Sequence, residues 1–446
     1  MSGAYMLAVI IVAVIAMILA ISKLKIHPFI VMTVIAIAVG LLCGMNTEDV
    51  INKVKAGFGN ILASIGIVIL AGTIIGTILE KTGAALTMAN TILKLVGKER
   101  SVLTMGLTGY VTGIPVFCDS GFVILSPISR ALAAQSNKSL AVMATALSAG
   151  LYATHCLVPP TPGPIAMAGT LNANLGLVIG IGLLISLPAT FMGILYANKV
   201  AGKIDIPANP EYTVDELVEK YGKLPGALHS FAPILVPIIL IALKSIGDFP
   251  SHPFGTGAVK MCFSFIGNPV IALLLGIVLA TTLIPKSEKK NTLSWVTDGV
   301  TNSAGILAIT GAGGAFGEIL KSLPLADALS SSLLQMHVGV FLPFIIAAIL
   351  KSAMGASTVA MILTSAMVAP LMPALGFTSE IGKVLVIMAI GAGSMTVSHA
   401  NDSYFWVVSQ FSDMNTQQAY KCQTGVTLVQ GITTIIVVFI VSLFVH

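Results

Sequence analysis

The sequence predicts an all-α integral membrane protein built from two inverted repeats. Each repeat has about five transmembrane helices and one re-entrant hairpin, with transmembrane helices unwound at a substrate site. Three observations predict it. Charge is scarce and segregated, two stretches carry short apolar arms around a polar tip, and strings in the first half recur in the second.

Only 9% of the 446 residues are charged and 56% are hydrophobic, whereas soluble domains average about 25% charged residues. No Asp, Glu, Lys or Arg occurs in 1–22, 28–45, 56–79, 224–243, 261–285, 328–350 or 422–446, nor across the 60 residues of 139–198. About 20 apolar residues cross a bilayer core, so many crossings are required. The net charge of +5 is scattered singly between apolar blocks, which excludes the clustered basic face that nucleic acid needs. The first apolar block lacks a basic leader and reads as a retained first span rather than a signal peptide. The five cysteines (Cys43, Cys118, Cys156, Cys262, Cys422) have the spacing of neither a disulfide framework nor a metal site. No metal or cofactor is expected.

In chain order, spans are predicted near 4–22, 28–45, 60–80, 139–165 and 174–198, then near 229–246, 261–285, 299–320, 382–410 and 424–446. Residues 101–134 and 336–373 are read as hairpins, because each arm is short and each tip is polar. The first tip is GIPVFCDSG (113–121) and the second KSAMGAST (351–358). The polar stretch from 199, with Glu211, Asp215, Glu216 and Glu219, divides the chain into a repeat at 1–198, a cytoplasmic linker at 199–228 and a repeat at 229–446. GTIL at 76–79 echoes GEIL at 317–320, and Asn60 echoes Asn302. ALSAGLYATHC (146–156) echoes AIGAGSMTVSH (389–399), aligning His155 with His399. An odd number of spans per half inverts the second repeat, a widespread transporter plan. With both termini extracytoplasmic, 16 of the 23 Lys and Arg fall inside, as the positive-inside rule favours. That orientation puts the first hairpin on the cytoplasmic side and the second on the outer side.

Ionisable groups at membrane depth are costly and therefore functional candidates. They are Asp119 at the first tip, His155, and His399 with Asp402 in the second half; Glu318 and Lys351 are placed nearer span ends and given less weight. The strings HCLVPPTP (155–162) and SHANDS (398–403) are expected to unwind their spans, since proline removes backbone donors. The helices starting at Ser120-Gly121 and at Ser357-Thr358 should aim their N-termini, with unpaired amides and partial positive charge, at an anion near mid-depth. The expected substrate-binding residues are Ser120, Gly121, His155, Thr161, Gly355, Ser357, Thr358, His399, Asn401, Asp402 and Ser403. Asp119 and Asp402 are the candidates for proton coupling. For Asp119 three readings stand side by side: a proton carrier, a cation ligand, or a structural acid satisfied by hydrogen bonds. For His155 a structural place and a binding role both stay open.

At these residues the chain resembles the gluconate permease family of proton symporters, within the broader ion transporter superfamily. The strings that carry the likeness are KIHPF (25–29), FCDSGFVILSPI (117–128), HCLVPPTPGP (155–164), FIGNP (265–269), GAGGAFGEILK (311–321), GASTVAMILTSAMVAP (355–370) and SHANDSYFWVV (398–408). SHANDSYFW is the most specific and looks closer to gluconate-type than to D-serine-type members. One departure stands out: gluconate-type members have Glu-Val where this chain has Asp119-Ser120. A shorter acid with an added hydroxyl points to a smaller hydroxy acid such as glycerate.

The resemblance implies proton-coupled import of a sugar acid by an elevator motion, in a homodimer in the bacterial inner membrane. The partners expected are a small anionic substrate, a proton or else sodium, and membrane lipid. Sodium coupling and D-serine-type transport on the same fold are the alternatives. An intramembrane enzyme is disfavoured, because Ser398, His399 and Asp402 are sequence neighbours and a catalytic triad is defined by geometry. A passive channel would never exceed the external concentration.

Overall fold

The computed structural model describes residues 3–97, 99–208, 224–247, 253–254, 257–323 and 339–444, and among these every regular element is helical. The four linker acids, the chain ends and the first residues of the second hairpin (336–338) lie outside the described residues. Each of the ten expected spans falls on a helix or a helix pair. The first half runs α1 (Gly3–Ser22), α2 (Pro28–Leu42), α3 (Thr47–Lys81), α4 (Ala84–Val96), α5 (Ser101–Thr112), α6 (Cys118–Gln135), α7 (Leu140–Leu157), α8 (Pro162–Thr170) and α9 (Leu175–Lys199). The second runs α10 (Ala227–Gly247), α11 (Ala258–Ile266), α12 (Pro269–Thr282), α13 (Thr292–Lys321), α14 (Phe341–Met354), α15 (Ser357–Val368), α16 (Glu380–Met395), α17 (Ser403–Phe411) and α18 (Thr416–Ser442), the last with a π turn at 420–424.

Among the described residues, six helices are long and apolar enough to cross a membrane, or seven if α11 and α12, bent by 63°, count as one. At 35 residues α3 is about 52 Å long, well beyond a hydrocarbon core of about 30 Å. The sequence marks only its middle as a span, because Glu48, Asp49, Lys53 and Lys55 interrupt the apolar signal without interrupting the helix. Its start is fixed by Asn46, whose side chain accepts from the Glu48 amide. Ser139, Asn174, Asn268 and Ser379 cap α7, α9, α12 and α16 in the same way. Such caps satisfy amides that lipid could not.

Lipid supplies little hydrophobic force between helices, so close backbone approach matters more. Along the α3–α13 crossing, a Cβ added at Gly57 would overlap the Gly314 carbonyl, and one at Gly314 would overlap the Gly57 carbonyl. Large apolar side chains such as Val12, Leu184, Ile239 and Val278 are left exposed on the outside, as a lipid-facing surface requires.

Two helix–turn–helix elements and two interrupted helices lie at the positions expected of the hairpins and breaks. The hairpin arms α5 and α6 join through 113–117, and α14 and α15 join through Gly355–Ala356. The breaks are 158–161, between α7 and α8, and 396–402, between α16 and α17. The contacts cross between halves: α6 packs on α17, α15 packs on α8, and α7 packs on α16. One core draws on residues of α4–α9 and α14–α18, the other mainly on α1–α3, α13 and α15, so both take residues from both halves.

Candidate functional site

The second break is the centre of the site. After α16 ends, Val397 takes a left-handed φ of 61° and the chain leaves helical geometry. Helix α18 holds the freed backbone: the Ser398 amide donates to Thr427 Oγ1 (3.0 Å), and the Thr424 hydroxyl donates to the Ser398 carbonyl (2.5 Å). Asp402 restarts the helix as α17, its Oδ1 accepting from the Tyr404 amide at 3.1 Å. Its Oδ2 accepts from Ser398 Oγ (2.6 Å), Tyr152 OH (3.4 Å) and Lys351 Nζ (2.6 Å).

The sequence reading places Lys351 near the outer interface and counts it with the outer loops. Instead its side chain is 0% exposed. The difference comes from packing: α14 ends one turn after Lys351, and the turn at Gly355 and the 398–403 segment cover its side chain. Lys351 also donates to the Gly355 carbonyl. Among the described residues, Lys351 and Asp402 are the only buried members of the Lys, Arg, Asp and Glu set. The available signal was a single Lys one turn before Gly355, in an arm otherwise free of charge.

The second hairpin tip closes directly on the break. Gly355 has φ 84°, and a Cβ there would overlap the Asn401 carbonyl, so both the turn and the contact require glycine. The Ser352 carbonyl accepts from His399 Nε2 (3.0 Å) and from Asn401 Nδ2 (2.8 Å). Ser357 is buried at the start of α15, within reach of Tyr152 and Cys156. Thr358 is half-buried beside it.

The first hairpin tip reaches the same segment from α6. Asp119 Oδ1 accepts from Ser403 Oγ at 3.3 Å, and the Cys118 thiol lies 3.5 Å from Oδ2. Ser120 pairs with Glu80 of α3, while Gly121 gives room to Leu151. An aromatic column backs the tip. Tyr152 stacks on Tyr404 (centroids 5.2 Å apart) and on His155 (6.2 Å), and Phe122 meets Tyr404 edge-on. His155 is buried with Nδ1 unpartnered, so it enters the site through this stack. Thr161 turns onto its own break, donating to the Val158 carbonyl at 2.6 Å. Glu318 sits away from this cluster, paired with Lys53 of α3 at 3.4 Å.

Both tips and the second break therefore meet, and the N-termini of α6, α15 and α17 converge there. Asn401 and Ser403 are exposed and Asp119, Ser120 and His399 half-buried, so hydroxyls, an amide, an imidazole and a carboxyl are grouped on the accessible side of this junction. Converging helix N-termini suit a carboxylate.

Comparison with known proteins gives a consistent picture. The family described as GntP family permease matches residues 5–444. A gluconate permease of Pseudomonas aeruginosa is 32% identical over 99% of this chain and 98% of its own. The D-serine transporter DsdX of Escherichia coli K12 is 31% identical over 99% of both chains. Among solved structures, the YdaH transporter of Alcanivorax borkumensis matches with a TM-score of 0.68 at 14% identity, covering 94% of this chain and 99% of that one. The last likeness is one of fold.

Proposed function

This chain belongs to the GntP family of permeases, and on that premise we propose that it imports a sugar acid or small hydroxycarboxylate, of the gluconate or glycerate kind, together with a proton. The observation that carries the reading is the meeting of both hairpin tips at the 398–403 segment, with Asp119 on Ser403 and Gly355 against Asn401. Three helix N-termini point to a bound carboxylate, and Ser120, Ser357, Thr358, Asn401 and Ser403 offer hydroxyls and an amide to the substrate's own hydroxyls. The accessible side of the junction also holds Asp119. An ionised acid there would repel an incoming carboxylate, and a proton taken up with the substrate removes that repulsion. Asp119 is thus the coupling acid in this reading, and Asp402, already met by four donors, shapes the site.

The reciprocal packing of α6 on α17 and α15 on α8 supports an inverted repeat, in which each hairpin serves the other half's broken helix. An elevator motion of these elements against α3 and α13, a homodimer, a bacterial inner-membrane location and extracytoplasmic termini belong to the same proposal. A second reading is amino-acid transport of the D-serine type, favoured by the similarity to a D-serine transporter and by Asp119, which would pair with an α-ammonium. The test is uptake of labelled gluconate, glycerate and D-serine into proteoliposomes, under a pH gradient alone or a sodium gradient alone. Accumulation of a hydroxy acid under the pH gradient supports the first reading. Accumulation of D-serine only supports the second, and a response to sodium only overturns proton coupling.

A further inference from the structure

We propose that Lys351 is a positioning residue for transport: it clamps Asp402 and the Gly355 carbonyl from within the protein and so fixes the 398–403 segment in its substrate-meeting shape. The proposal rests on the transport reading above.

Burying charge is costly. A buried ion pair is seldom more stabilising than apolar packing of the same volume, whereas removing one partner leaves an uncompensated charge. Stability alone therefore gives no reason for the only buried charges among the described residues to be here. Geometry gives one. Lys351 sits on the second hairpin and Asp402 at the start of α17, 51 residues later. One carboxylate oxygen caps α17 through the Tyr404 amide and the other takes Lys351. The direction of α17, with Ser403 at its first turn, is thereby tied to the hairpin tip. Lys351 reaches the tip a second time through the Gly355 carbonyl. With its side chain 0% exposed while Asn401 and Ser403 are exposed, Lys351 acts through Asp402 and not on the substrate.

The pair also sets the charge of the site. The titratable groups around it are Cys118 and Asp119 from α6, Tyr152, His155 and Cys156 from α7, His399 from the 396–402 break, on the Ser352 carbonyl, and Tyr404 from α17. Without Lys351 the Asp402 carboxylate keeps its neutral donors but loses the ammonium that pairs with it inside the protein. Loss of Lys351 should then be relieved by acid, or by neutralising Asp402.

The experiment compares wild type, Lys351→Met, Asp402→Asn and Lys351→Met/Asp402→Asn in proteoliposomes, across pH, with the acid that wild type accumulates. Lys351→Met is expected to lose about tenfold or more of its uptake at neutral pH and to regain part of it at mildly acidic pH. The double variant is expected to exceed Lys351→Met at neutral pH. A Lys351→Met protein with the wild-type pH profile, or a double variant no better than the single at every pH, overturns the proposal. A ligand-free arm keeps it testable if wild type moves none of the acids, an outcome that would count against the transport reading alone. In a Cys262→Ser background, which removes the exposed native thiol, maleimide labelling of Ser403→Cys should change rate with Lys351→Met and return toward the parent rate when Asp402→Asn is added. Equal rates in all three proteins overturn the positioning role.

Discussion

Replacing Asp119 by Asn separates coupling from folding, because the amide keeps the shape and the acceptor that Ser403 uses. The carboxylate makes two side-chain contacts, Ser403 Oγ at 3.3 Å and the Cys118 thiol at 3.5 Å. The first survives in the amide and the second is long, so the cost to stability should be under about 1 kcal/mol. The effect on transport is categorical. For one proton per substrate, each unit of pH gradient supplies about 1.4 kcal/mol, which allows about tenfold accumulation at steady state. The amide variant has no proton to carry, so the internal and external concentrations should become equal while exchange of labelled for unlabelled substrate continues. Steady-state uptake in proteoliposomes with an imposed pH gradient reads both quantities. Uphill accumulation by Asp119→Asn at the wild-type ratio would refute the coupling argument.

Other parts of the structure make further expectations. Ser357→Ala and Asn401→Ala should each raise the apparent KM about 2–10-fold, the worth of one hydrogen bond, and uptake titrations check this. Gly57→Ala should destabilise the α3–α13 crossing by about 1–3 kcal/mol through overpacking, because its Cβ would overlap the Gly314 backbone; thermal unfolding in detergent reads the loss. At one end of the bundle Arg130 donates to both carboxylate oxygens of Asp413 (2.6 and 3.0 Å) and to the Phe411 carbonyl. The Arg130 guanidinium holds the Asp413 carboxyl below its ordinary value of 3.8. A carboxyl lowered in the folded state contributes stability above that ordinary value and loses it as pH falls through the lower folded one. Arg130→Met should therefore be less stable than wild type at neutral pH, by under about 1 kcal/mol for so exposed a pair. The part of that difference due to the pair should vanish in strong acid, as melting curves at the two pH values would report.

The spans were legible because lipid imposes a composition, and composition survives without coordinates. Where a helix departs from composition, the reading stopped short. Helix α3 runs on through Glu48, Asp49, Lys53 and Lys55, since a polar end projecting beyond the lipid core can stay helical. The bend between α11 and α12 was missed for the opposite reason. Gly267, Asn268 and Pro269 form a stop and a capped restart, yet no charge breaks the run from 261 to 285. Helix α4 lies between charged residues and is too short to be a span, so it left no signal at all. The breaks and hairpin tips were visible through proline, glycine and polar strings, which act locally on the backbone.

What sequence could not supply is the difference between the halves. His155 and His399 align in the echoing strings, but His399 donates to the Ser352 carbonyl while His155 stacks on Tyr152 with Nδ1 unpartnered. The first half carries its acid on the hairpin, as Asp119, and the second carries Asp402 on the break with its lysine on the hairpin. Similar backbones can bring helix ends to a common depth, but they leave open which acid faces the accessible side and which is neutralised inside. That choice depends on whether Lys351 is at the surface or inside the protein, and so on a pairing across 51 residues. Both halves bring a turn and a break to the same place, but only the second buries a lysine there, and it is paired with Asp402 while Asp119 stays half-buried against Ser403.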